Sequence, residues 1–97
     1  MHKLDVRPVL TAKCYIDPVY EWVALKRATV REFMGCKVAE ISKFSYQRGQ
    51  TVYLDVDRDY PMFLRCAHAK NYLVQLEDKW TKKASPIRNY EPFCEVD

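Results

Sequence analysis

The chain has 97 residues, enough for one modest hydrophobic core and no second one. With 48% apolar and 30% charged residues it falls in the folded globular range, which excludes global disorder, and no apolar run reaches the roughly 20 residues of a membrane span. The net charge of +3 is too small for the clustered basic footprint of a dedicated nucleic-acid binder and has the wrong sign for a carboxylate-covered DNA mimic.

Residues 1–10 lack the apolar core and cleavage site of a secretory signal, so a cytoplasmic location with reduced thiols is expected. Cys14, Cys36, Cys66 and Cys94 show no C-x-x-C and no close ligand pairs. A zinc site would have to combine them with His2 or His68, and no cofactor is expected.

Residues 9–16 (VLTAKCYI) read as a strand, with Thr11 and Lys13 alternating against apolar neighbours. Asp17-Pro18 then looks like a helix start, an N-cap followed by proline in the first turn. Val19, Trp22, Val23, Val30, Phe33 and Met34 fall on one arc at helical period, and Gly35 follows as a stop, so a helix is expected from 18 to 34.

Residues 36–44 have no clean period, Arg48-Gly49-Gln50 reads as a turn, and 51–57 (TVYLDVD) alternates sharply. A hairpin of 36–44 with 51–57 is expected. After Pro61, two readings compete. Met62, Cys66, Ala69, Leu73, Leu76 and Trp80 repeat at steps of 4, 3, 4, 3 and 4, which is a helical stripe. The same stretch also splits at Ala69-Lys70-Asn71 into two short strand-like runs, which would give a small mostly-β barrel. The stripe and the Asp59/Pro61 start favour the helix. The expected fold is therefore α+β, ordered β-α-β-β-α, with one compact domain over 1–80 and an extended tail over 81–97.

Asp55, Asp57 and Asp59 stand at alternate positions, as a hard cation would want. An EF-hand loop starting at Asp55 would need glycine sixth and an acid twelfth, and those positions hold Tyr60 and Cys66. The simpler assignment has Asp55 and Asp57 solvating the outer strand face and Asp59 capping the next helix. A metal-dependent nuclease would pair Asp57 with Glu77 and Lys79, but on a helix Glu77 and Lys79 point apart. Cys66 and His68, two apart on a helix, also face away from each other, so no thiolate–imidazole pair forms. With two glycines there is no phosphate-binding loop, and no enzyme activity is expected.

What remains is aromatic surface and local charge. Seven tyrosines and two tryptophans are more than a core of this size buries, and Tyr20 and Tyr53 fall on polar faces. Tyr, Trp and Arg anchor protein interfaces. Lys79-Trp80-Thr81-Lys82-Lys83 forms a basic knot around an aromatic, its lysines also suiting the negative end of a helix. Ile87, Tyr90 and Phe93 give the tail the spacing of a docking peptide.

The expected function is that of a small accessory factor or inhibitor, in the style encoded by phages and mobile elements, that docks on a larger host enzyme or complex and acts by steric occupation. The candidate contacts are Tyr53, Tyr60, Trp80, Lys82, Lys83, Tyr90 and Phe93. A prolyl isomerase is a further candidate partner, at Ser85-Pro86 or Glu91-Pro92. The alternative is a nucleic-acid module in which Tyr46, Tyr53 and Trp80 stack bases while Lys43, Arg48, Lys82 and Lys83 hold phosphates, with Asp55 and Asp57 opposing it. No membrane partner is expected.

Overall fold

The computed structural model describes residues 6–95. Six strands form one open mixed sheet: β1 (Val9–Ile16), β2 (Glu21–Lys26), β3 (Tyr46–Arg48), β4 (Thr51–Asp55), β5 (Leu73–Trp80) and β6 (Glu91–Pro92). Their spatial order is β5-β1-β2-β4-β3-β6, parallel only between β1 and β5. Two helices, α1 (Arg27–Met34) and α2 (Tyr60–Ala69), complete an α+β domain, and the sheet does not close into a barrel. Among the described residues no helix is long and apolar enough to cross a membrane.

Strand side chains alternate between faces, and register partners share a face. Cys14 pairs with Val23 and Val23 with Leu54, so these point together toward the helices. There they meet Val30, Phe33 and Met34 of α1 and Phe63 and Ala67 of α2 in a continuous core, with Phe33 and Phe63 stacked at 5.5 Å. Each large side chain fully buried here contributes about 1.5–3 kcal/mol of transfer free energy, so this layer carries most of the stability.

The first helix begins at Arg27, not at Pro18, and β2 occupies the interval. The cause is the second job of an Asp-Pro pair. Asp17 Oδ1 accepts from Val19 N and Tyr20 N at 2.9 and 2.7 Å, and Asp17 N donates to Tyr20 O, which closes a hairpin turn. Val23 and Leu25 are buried on the helix face and Trp22 under the strap on the other, so three apolar residues within four positions obscure the strand alternation in the sequence.

The expected hairpin also shifts. Residues 35–40 form a 3-10 turn, and β3 is 46–48, joined to β4 through Gly49 (φ 58°) and Gln50. The long C-terminal helix stops at Ala69. Asn71 takes a left-handed conformation (φ 66°), and Tyr72 N donates to Ala67 O, a Schellman-type end. Residues 73–80 then run as β5, with Val74 and Leu76 packed on the core and Gln75 and Glu77 on the other face. A strand-period alternation and a helical stripe coincide over so short a run, and the Asn71 stop decides between them.

Residues 81–95 lie against the sheet as a strap. Ile87 is 3% exposed, residues 86–89 form a 3-10 turn, and β6 pairs with β3. The strap crosses the face opposite the helices near the β1–β2 turn. It leaves the rest of that face open.

Candidate functional site

The strap is latched by a buried carboxylate. Asp17, whose side chain is fully buried, accepts from Arg88 Nε at 2.8 Å and Nη2 at 2.9 Å, and from Ser85 N at 2.9 Å. The Arg88 guanidinium holds the Asp17 carboxyl far below the usual carboxylate range, outweighing the opposing effect of burial. The Arg88 guanidinium also lies over the Tyr20 ring, which leans on Trp22, which in turn meets Tyr46 edge-on. This aromatic chain seals the strap over Trp22, leaving the indole Nε1 buried without a hydrogen-bond partner. Tyr20, expected on a polar face, and Tyr46, a base-stacking candidate of the nucleic-acid alternative, serve as this seal.

Where the strap leaves β1 and β4, a cleft of about 310 Å3 opens. Tyr15 and Tyr53 form its floor, Tyr90 and Pro86 one wall, and the end of β5 at Lys79 and Trp80 the other; Lys79 shares the face of Tyr15, whereas Trp80, paired with Ile16, shares the helix-side face. Tyr15 and Tyr53 meet edge-on at 6.1 Å, and Tyr53 and Tyr90 are tilted at 5.3 Å. Arg48 braces Tyr90 from outside, donating to its hydroxyl at 3.1 Å with the guanidinium 5.1 Å from the ring centroid. Burial is the main cause of a raised Tyr53 pKa, with the Tyr90 and Tyr15 hydroxyls adding to it. Trp80 is 75% exposed. Beyond Tyr15 and Tyr53 the open face continues as a shallow trough of about 880 Å3, lined by Thr11, Lys13, Lys26, Thr51, Gln75 and Glu77.

Of the seven candidate contacts, the structure brings Tyr53 and Tyr90 together, with Trp80 at the adjoining end of β5 but in register with Ile16 on the helix-side face. Lys82 and Lys83 are exposed on the loop just after Trp80. That loop follows a strand, so the helix-end account of these lysines does not apply. Tyr60 is elsewhere. It is half-buried on α2 beside Phe63, in the helix layer. Phe93 is half-buried against the core margin under Arg27, with its N–H donated to Ser45 O at 2.7 Å. Tyr15 carries no signal in the sequence, being one tyrosine in a strand of otherwise ordinary alternation. Its register beside Trp22 makes it part of the cleft.

The three aspartates have local tasks. Asp55 is 5% exposed rather than solvated, and its Oδ1 accepts from Asp57 N and Arg58 N at 3.0 Å. Asp59 stands at the N-cap of α2, but its carboxylate accepts from Ser42 N, Ser42 Oγ and Ser45 Oγ, pinning the 42–45 loop. Asp57 is exposed. Glu77 and Lys79 share a face of β5 and form an ion pair, unlike their expected helical separation. Asp57 follows β4, three strand spacings away, about 14 Å, so the nuclease triad does not assemble. Among the described residues no cluster of three or more His, Cys, Asp or Glu is placed to hold a metal ion.

All four cysteines are free thiols. Cys66 packs against the core while His68 is exposed on α2. Burial, followed by the nearby Glu21 and Asp78 carboxylates, pushes the Cys14 thiol up to about 11. His2 lies outside the described residues. Ser85 caps the 3-10 turn that begins at Pro86, and Pro92 pairs with Tyr46, so both proposed isomerase sites sit in structured backbone.

No protein-family model, curated protein or solved structure gives a significant match to this chain.

Proposed function

We propose that this domain works by binding another protein, as an accessory factor or inhibitor that docks on a larger enzyme or complex and occludes or redirects it. One observation supports this most directly. Tyr15, Tyr53 and Tyr90 come from three separate stretches of chain and line one exposed cleft, flanked by an uncovered sheet face. Aromatic side chains with polar tips supply large contact area at low conformational cost, which is the composition of interface anchors. Lys79 lines the cleft and Lys82 and Lys83 are exposed a few residues further on, so the surface offered to the partner should be acidic.

The test is affinity capture from source-cell lysate after nuclease treatment, with the wild type beside Tyr90→Ala and Lys79→Glu. The expected result is one stoichiometric protein that survives moderate salt and is depleted with either variant. A capture that ignores both variants would reject this surface as the docking site.

A second reading, a nucleic-acid module, is favoured by the burial of Asp55. The acidic row beside Tyr53 that would repel a phosphate backbone is reduced to Asp57. Lys13 and Lys26 border the same face. A phosphate binder loses affinity steeply with the logarithm of salt, whereas an aromatic-anchored protein interface responds weakly.

A further inference from the structure

We infer that the outer edge of β5 pairs antiparallel with β5 of a second copy of this chain, about a two-fold axis at Asp78. The inference concerns an edge of the sheet and is independent of the docking function proposed for its open face.

The two ends of the sheet are finished differently. At one end β6 has only two residues, one of them Pro92, and offers almost nothing to a further strand. At the other end β5 runs for eight residues, roughly 26 Å, in unbroken register on β1 and without proline. Among the described residues no strand lies beyond it. Leu73 N and Thr81 N both donate toward β1, to Pro8 O and Ile16 O. Backbone groups alternate sides along a strand, so the N–H and C=O groups of Val74, Leu76, Asp78 and Trp80 point outward, with no strand to pair with. The guards left on this edge are the charges of Glu77, Asp78 and Lys79.

Those charges select the occupant. A symmetric antiparallel pair keeps each side chain on its own face, so only residues of like parity can stand opposite one another. With the axis at Asp78, Glu77 of each copy faces Lys79 of the other, twice. Both lie on the open face, and their backbone groups are turned to β1. They therefore form the close, non-hydrogen-bonded kind of pair, with Cα atoms about 4.5 Å apart. Within one copy Glu77 and Lys79 are already an ion pair, so the dimer closes a square of alternating charge.

On the helix-side face the same axis sets half-buried Leu76 against Trp80, whose ring is 75% exposed. The one unfavourable meeting is Asp78 with Asp78 on the axis, at the wider hydrogen-bonded spacing of about 5.5 Å. Moving the axis by one residue loses the match. An axis at Glu77 sets Glu77 against Glu77 at the close spacing and Leu76 against Asp78. An axis at Leu76 sets Glu77 against Gln75 and Val74 against Asp78. The occupant that brings an acid and a base to the required places is a second β5, which supplies each contact twice.

The experiment is sedimentation velocity on the intact protein from about 1 μM to about 1 mM, a range that spans weak association. Reductant is present because Cys36 and Cys94 are exposed thiols. A reversible monomer–dimer equilibrium is expected. Glu77→Lys alone sets base against base and Lys79→Glu alone sets acid against acid, so each should weaken the dimer at least about tenfold. Mixed in equal amounts, the two variants should restore it, because every 77–79 pair then joins an acid to a base. Asp78→Asn removes the axial repulsion and should tighten the dimer. Raising the concentration of the wild type should protect the Leu76, Asp78 and Trp80 amides from hydrogen exchange and leave the β3–β6 end unchanged.

A chain that sediments as a monomer up to about 1 mM overturns the inference. So does a dimer that ignores both single substitutions, or one that the mixture fails to restore. Protection of those three amides only when a different, captured protein is bound would assign the edge to a foreign strand and overturn the second copy as its occupant.

Discussion

The two faces of the sheet are held by different forces. The helix face is apolar and continuous, from Leu10 and Val74 through Val23 and Leu54 to Phe33 and Phe63, and its stability scales with area removed from water. The opposite face is closed only at one end, by a strap fastened through one carboxylate, one guanidinium and a few tilted rings. A face held by area resists pH and salt but not truncation, while a face held by a charged latch responds to both. The binding surface proposed here lies on the second kind of face, where surface can stay uncovered without loss of the fold.

That contrast can be broken most severely from the helix side. Phe63→Ala removes the ring that joins both helices to the sheet and should cost about 3–5 kcal/mol in equilibrium denaturation. For a domain with about 5–15 kcal/mol in total, much of the population would unfold on mild heating. On the strap side, Asp17→Ala strips the latch and leaves Arg88 and Ser85 N without their acceptor, an expected loss of about 2 kcal/mol. The strap should then exchange its amide hydrogens faster than β2 or β4, and a uniform rise across the sheet would show that the two faces are not separable.

Acid sharpens the same comparison. The Asp17 carboxyl titrates lower folded than unfolded, so its contribution is complete above the unfolded value near pH 4 and is lost as the pH falls through the folded one. Stability of the wild type should fall between pH 5 and pH 2 more steeply than that of Asp17→Asn, measured by urea unfolding at each pH. Smaller again is the thiol pattern. Cys36 and Cys94 are exposed and should react with a thiol reagent within minutes, Cys66 more slowly, and Cys14, buried and raised to about 11, only on unfolding. Last, Trp80→Ala should change stability by less than about 0.5 kcal/mol in the same unfolding measurement, because the side chain is 75% exposed.

Several of these elements could be read from the residues alone. The α+β class follows from one strong alternation at 51–57 and apolar helical periodicity over 19–34 and 62–80, of which 27–34 and 62–69 are helix, and the hairpin turn from Gly49. Asp17-Pro18 was ambiguous in principle, because the carboxylate that caps a helix also closes a turn two and three residues on. β5 was hidden because Leu73, Leu76 and Trp80 continue the period of α2, and Asn71 alone interrupts them. The cleft was half legible. Tyr53, Trp80 and Tyr90 stood out as surplus aromatics, while Tyr15 and the partnership of Asp17 with Arg88 depend on long-range register that local pattern does not carry.

The parallel pairing of β1 with β5 ties the first strand to one that emerges last among the long strands. On a ribosome, β1 could form its hairpin with β2 early, yet its other side would wait until residue 80 had cleared the exit tunnel. Contacts of such sequence separation are slow to close and leave an unpaired edge in the interim. Expression at lower temperature, or with an edge-binding chaperone, should therefore raise the yield of native chain more than any change to the open face would.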